Sequence, residues 1–135
     1  MNYQLKIEDL FSHACLAASY SFLARGGKFN WVNTTQDILD GIKKGYIEDD
    51  GFVSKPVHYL EMMGMKASDI KKVYISSLLE LPDNGIYVVE YKKAPHATAS
   101  HFVVVENKQV IFDPSEPSNT VKYGAPYSYR EIGVK

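Results

Sequence analysis

Ser100-His101-Phe102-Val103-Val104-Val105-Glu106-Asn107-Lys108-Gln109-Val110-Ile111-Phe112-Asp113-Pro114 holds two runs rich in β-branched and aromatic residues, joined at Asn107-Lys108. That composition predicts an antiparallel hairpin, with strands over 101–106 and 109–112. The hairpin opens with His101 and closes with Asp113, so its register decides whether the two side chains can meet. Side chains alternate faces along a strand. A plain two-residue turn at Asn107-Lys108 pairs Glu106 with Gln109 and sets Asp113 opposite Phe102. His101 would then project to the other face, out of reach of Asp113. A three-residue connection, or a bulge in either strand, moves Asp113 opposite Val103 and makes it a diagonal neighbour of His101. An odd-length connection or a bulge is therefore expected between them.

Far upstream lies Ser12-His13-Ala14-Cys15-Leu16-Ala17-Ala18-Ser19-Tyr20-Ser21-Phe22-Leu23-Ala24, an apolar helical run that contains the chain's single cysteine near its front. Thiolate chemistry needs a base, a group that orients the base, and positive potential at the sulfur. With Cys15 as nucleophile, His101 can be the base, Asp113 the group that orients it, and the helix N-terminus the source of positive potential. The alternative is a small buried cysteine filling a helix face. On the catalytic reading, Cys15 lies in the first helical turn with its sulfur reachable from a cleft.

Outward from these segments the chain divides into helices and then strands. The first helix starts near Ser12 or His13 and ends at Gly26-Gly27. Its small residues Ala14, Ala17, Ala18 and Ser21 suit a central helix that other elements surround. Asn33-Thr34-Thr35 offers cap oxygens for a second helix through Ile38, Leu39 and Ile42 to Lys44, stopped by Gly45. A loop over 46–53 leads to a third helix, opened by Ser54 and Pro56, running from Val57 to Met63 and ended by Gly64. Lys72-Val73-Tyr74-Ile75 and Gly85 to Tyr91 read as strands ahead of the hairpin, Ser115 to Pro126 as turns, and Tyr127 to Val134 as an edge strand. Helices followed by an antiparallel sheet predict an α+β domain spanning residues 1–135.

Composition narrows the function classes. The 135 residues are 45% hydrophobic and 23% charged, with a net charge of −1, which argues against nucleic acid or an anionic membrane as partner. One cysteine makes no internal disulfide. The polar start, Met1 to Asp9, is not a signal peptide, and no apolar run is long enough to span a bilayer, so a cytoplasmic location is expected. His13-x-Cys15 with His96 near His101 lacks the paired close spacing of a zinc site, and no metal or cofactor is expected. His58 reads as a surface histidine and Glu48-Asp49-Asp50 as a solvated turn rather than a calcium loop. Tyr123, Tyr127 and Tyr129 either line a cleft or pack on the sheet.

The arrangement resembles the papain-like cysteine peptidase superfamily, and within it small bacterial enzymes similar to bacteriocin-leader-processing peptidases. The matching residues are Cys15, His101-Phe102-Val103-Val104 and Asp113-Pro114. The segments Gly45 to Val53 and Pro56 to Gly64 are also similar to an uncharacterised bacterial and phage-associated family of that superfamily. The resemblance implies a papain-like fold with the cysteine on the central helix. It further implies hydrolysis of a peptide or isopeptide-type amide by Cys15, His101 and Asp113, with a peptide or protein as substrate. Two positions depart from the pattern. The superfamily's oxyanion-hole glutamine, about six residues before the cysteine, is Asp9 here, with Gln4 the nearest upstream glutamine, and the residue after the cysteine is Leu16 where glycine is frequent. Two readings of different class stand at this point. One is a cysteine hydrolase. The other is a binding module that keeps the fold and recognises a partner through the same cleft.

Overall fold

A computed structural model describes residues 13–28, 30–94, 97, 100–114 and 119–134. Three helices come first: α1 (Cys15–Ala24), α2 (Trp31–Lys43) and α3 (Pro56–Met62). They are followed by β1 (Ala67–Tyr74), a 3₁₀ turn (Leu78–Glu80), β2 (Ile86–Lys92), β3 (His101–Glu106), β4 (Gln109–Phe112), the short helix α4 (Asn119–Tyr123) and β5 (Ala125–Val134). The strands form one five-stranded antiparallel sheet in the order β1-β5-β2-β3-β4. The architecture is the expected α+β layout, with helices N-terminal and an antiparallel sheet C-terminal.

α1 sits between the other helices and the sheet, and its composition explains why it can. Ala17, Ala18, Ser19 and Ser21 are all buried, so neighbouring backbones approach closely on several sides. Tyr59 of α3 donates its hydroxyl to the Ala17 carbonyl at 3.2 Å. Asp37 of α2 accepts from Ser21 Oγ at 2.8 Å and from Arg25, which anchors the far end of α1. On the sheet side, Ser19 Oγ donates to the Phe102 carbonyl, and Phe22 stacks on Phe112 with ring centroids 4.4 Å apart. A stacked aromatic pair adds about 0.5–1.5 kcal/mol beyond its area. These contacts bind the helix that begins with Cys15 to both strands of the hairpin.

The sheet is covered on both faces, which is why Val103, Val104 and Val105 are consecutive and all fully buried. Val88 and Val104 pack under the helices with Ala17, Ala18 and Tyr20. Val89, Val103 and Val105 face a second core with Leu81, Tyr91 and Tyr129, closed by Leu78 and Val121.

Three boundaries differ from the sequence expectation. α2 begins at Trp31 because Asn30, not Asn33, is the cap: the Asn30 side chain accepts the Asn33 N–H at 3.1 Å. β1 extends back to Ala67, where an exposed polar strand edge carries little hydrophobic signal. β5 is an inner strand between β1 and β2 rather than an edge, since it pairs on both sides. Among the described residues, no helix is long and apolar enough to cross a membrane.

Candidate active site

Cys15 is the first residue of α1. The preceding residue, Ala14, has no side-chain acceptor, so it does not cap the helix start. His13 N–H bonds the Asp50 carbonyl at 2.9 Å, which fixes the chain's approach to α1. The Cys15 side chain is half-buried and lines an open cavity of about 660 Å³. Its apolar lining comes from Leu16, Phe52, Val53 and Pro56, joined by Tyr20 and Phe102.

The hairpin has the two-residue turn read from Asn107-Lys108, with both residues at positive φ (52° and 65°). That is the primed turn favoured in tight hairpins. Glu106 pairs Gln109 and Val105 pairs Val110, but Val104 pairs Phe112, so Ile111 is an extra residue bulged out of β4. Continuing that register sets Asp113 opposite Val103, on the face His101 shares by alternation. The outcome is direct contact: His101 Nε2 and Asp113 Oδ1 are 2.6 Å apart, with the two side chains about 10% and 9% exposed. With Nε2 engaged, Nδ1 is the ring nitrogen left for a second partner. Burial works against a charge on the His101 ring. The hydrogen bond to Asp113, the neighbouring Cys15 and the charge of Asp113 outweigh it and raise its pKa to about 9. The ring thus favours the imidazolium at neutral pH, held by the Asp113 carboxylate.

The structure brings His101 and Asp113 into direct contact, with Cys15 near enough to act on the His101 ring electrostatically. Asp9, Gln4 and His96 lie outside the described residues. His58 packs its ring against Tyr46 at 5.3 Å. Tyr129 is buried in the second core, and Tyr127 makes an edge-on pair with Tyr74 on the sheet, so neither joins the cavity lining described here. Among the described residues, no group of three or more His, Cys, Asp or Glu is placed to hold a metal ion.

A polar cluster on the cavity floor escaped the sequence reading. Glu90, 4% exposed, accepts from Ser100 Oγ at 2.5 Å and Ser128 Oγ at 2.6 Å. Lys72 Nζ and Arg130 Nη1 stand 3.4 Å and 3.7 Å from its carboxylate. Burial alone would raise the Glu90 pKa, but the two serine hydrogen bonds and the two cations hold it below the usual carboxylate range. A carboxylate inside the apolar run Ile86-Tyr87-Val88-Val89-Glu90-Tyr91 was the available signal. Because Ser100 immediately precedes His101, this cluster also pins the entrance to β3.

No curated protein and no solved structure matches the chain. A family model described as "Protein of unknown function, DUF261" matches residues 7–132, and the chain belongs to that family.

Proposed function

We propose that the protein is a papain-like cysteine hydrolase acting on a peptide or isopeptide-type amide, with Cys15 as nucleophile, His101 as acid and base, and Asp113 as the orienting group. The observation that carries this reading is the 2.6 Å His101–Asp113 bond, made across a bulged register, with Cys15 close enough to raise the ring's pKa and opening onto a cavity. Hydrogen bonds across the base to an orienting carboxylate define such a unit by geometry and role. The Cys15 sulfur attacks the carbonyl carbon, and the C=O electron pair moves to oxygen. The Cys15 N–H, at the positive end of α1, donates to that oxyanion. Collapse breaks the C–N bond as His101 Nδ1 gives its proton to the leaving amine. Water, deprotonated by the same nitrogen, then cleaves the thioester. An unpaired reactive thiol suits the reducing cytoplasm, where we place the protein.

Asp9, at the position of the superfamily's oxyanion glutamine, favours a second reading: a binding module that retains the fold without turnover. Alkylation with iodoacetamide across pH 6–8, followed by mass spectrometry, tests the unit itself. One adduct on Cys15 is expected, formed at least tenfold faster than in His101→Ala; equal rates would sink the catalytic pairing. Incubation with a peptide library then separates the readings, since only the hydrolase generates new termini.

A further inference from the structure

Lys72 and Arg130 are directly opposed on β1 and β5, two like charges side by side on the cavity floor. Directly opposed like charges destabilise a sheet, so the pairing calls for a compensating anion. Glu90 compensates one of them. It is the only acid among the described residues that line the cavity. Two cations against one carboxylate leave a net positive charge on a floor where the Arg130 side chain is 15% exposed and Lys72 is 38% exposed. Arg130 gives one donor to Ser128 Oγ at 2.8 Å, contacts Tyr20, and lies over the Phe102 ring at 5.2 Å. A guanidinium has five N–H donors, so capacity remains for a planar anion. Lys72 also stands over the Tyr74 and Tyr127 rings, at 5.2 and 5.3 Å, contacts that favour a cation at this position without neutralising it. Leu16, Phe52, Val53 and Pro56 add apolar lining to the same cavity. A mostly apolar cleft with a few convergent polar groups is the usual build of a ligand site.

We infer that Lys72 and Arg130 form a carboxylate-binding subsite in the cavity that holds Cys15, so that the preferred ligands are peptides presenting an acidic side chain or a free C-terminal carboxylate. The inference rests on the hydrolase reading for the statement that these peptides are substrates. Glu90 holds both cations in place and limits the site to one further negative charge.

Haloacetyl peptides test it, because they label the thiol without requiring turnover. A short series moves one Asp stepwise along the peptide, each member paired with its Asn twin, and each made with a free and an amidated C-terminus. At least one acid is expected to alkylate Cys15 on the order of tenfold faster than its neutral twin, the scale of a charge-assisted hydrogen bond. Which twin pair shows the gap tells a side-chain from a terminal carboxylate. The gap should vanish in Arg130→Met and in the more exposed Lys72→Gln, which keeps the test open if the arginine variant fails to fold. Equal rates for every pair, or a gap that survives both variants, would overturn the subsite. In Cys15→Ala, the same peptides without the haloacetyl group are titrated by NMR, so that the subsite is read even if the thiol proves inert. Shifts at the Phe102 and Arg130 amides with acid but not amide peptides support it; no difference removes it. Loss of His101-dependent alkylation, with the acid preference intact, would count against the hydrolase and leave the subsite standing.

Discussion

His101 Nε2 reaches Asp113 Oδ1 at 2.6 Å because β4 carries one residue, Ile111, that has no partner on β3. Without the bulge, Ile111 would face Val104 and every later side chain would change face, taking Asp113 away from the ring. The bulge therefore matters through parity rather than through the Ile111 side chain, which is 43% exposed. Deleting Ile111 leaves Val110 opposite Val105 and Phe112 opposite Val104 in a regular hairpin, with Asp113 still opposite Val103. The deletion variant is expected to keep the His101–Asp113 bond, seen by NMR as an unchanged imidazole titration. A His101 ring that titrates near its ordinary value in this variant would show that the bulge does more than set parity.

Substitution of the three residues should separate them by role. Cys15→Ala and His101→Ala remove the bond-forming and proton-carrying atoms, so hydrolysis is expected to fall on the order of 10⁴-fold or more. Asp113→Ala leaves a ring that can still exchange protons but is less well held, and should cost less than either. The double variant His101→Ala/Asp113→Ala should be no worse than His101→Ala alone, because an orienting group has nothing left to orient. Additive losses in kcat/KM would show that Asp113 acts independently.

The raised His101 pKa makes stability depend on pH with a definite sign. The folded ring titrates near 9 and the unfolded ring near its ordinary 6.5, so the native state binds the proton more tightly. This stabilisation is complete below about pH 6.5 and is lost as pH rises through about 9. The shift corresponds to a loss on the order of 2 kcal/mol, reduced from its full value because the ring keeps some contact with solvent. Asp113→Asn removes the larger of the two favourable hydrogen bonds and should flatten the decline. Urea unfolding at pH 6, 7.5 and 9.5 reads both chains; parallel curves for wild type and Asp113→Asn would remove the linkage.

The local parts of this site could be read from the sequence and the long-range parts could not. Asn107-Lys108 between β-branched runs gave both hairpin strands to the residue, and the need for His101 and Asp113 to meet pointed to an irregularity between them. Small residues marked α1 as the surrounded helix. Strand order, by contrast, depends on pairings distant in sequence, so β5 read as an edge although it pairs with both β1 and β2. The same blindness hid the cavity floor: Lys72, Glu90 and Arg130 come from three strands and converge only once that order is known.

Gly41 supplies a test of the packing that shapes the cavity's apolar wall. It lies inside α2, where replacing glycine with alanine ordinarily stabilises a helix by about 1 kcal/mol. Here an added Cβ would stand 2.7 and 2.9 Å from Ile47 Cδ1 and Cγ1 and 3.2 Å from Tyr59 Cδ1. Ile47 is 3% exposed and bridges to Val53, and Tyr59 is fully buried and bonded to α1, so neither side chain can move freely. Overpacking then outweighs propensity, and Gly41→Ala is expected to destabilise by roughly 1–3 kcal/mol. Ile47→Val removes the closest methyl at a cost of about 0.5–1.5 kcal/mol on its own. Combined with Gly41→Ala, it should cost less than the sum of the two single changes, because the clash is shared. Because Val53 and its neighbour Phe52 line the cavity, Gly41→Ala should also change Cys15 alkylation by bulky electrophiles more than by iodoacetamide. Urea midpoints for the two single variants and the double variant decide the matter: a neutral or stabilising Gly41→Ala would mean that the 46–53 loop yields easily and does not hold the wall in place.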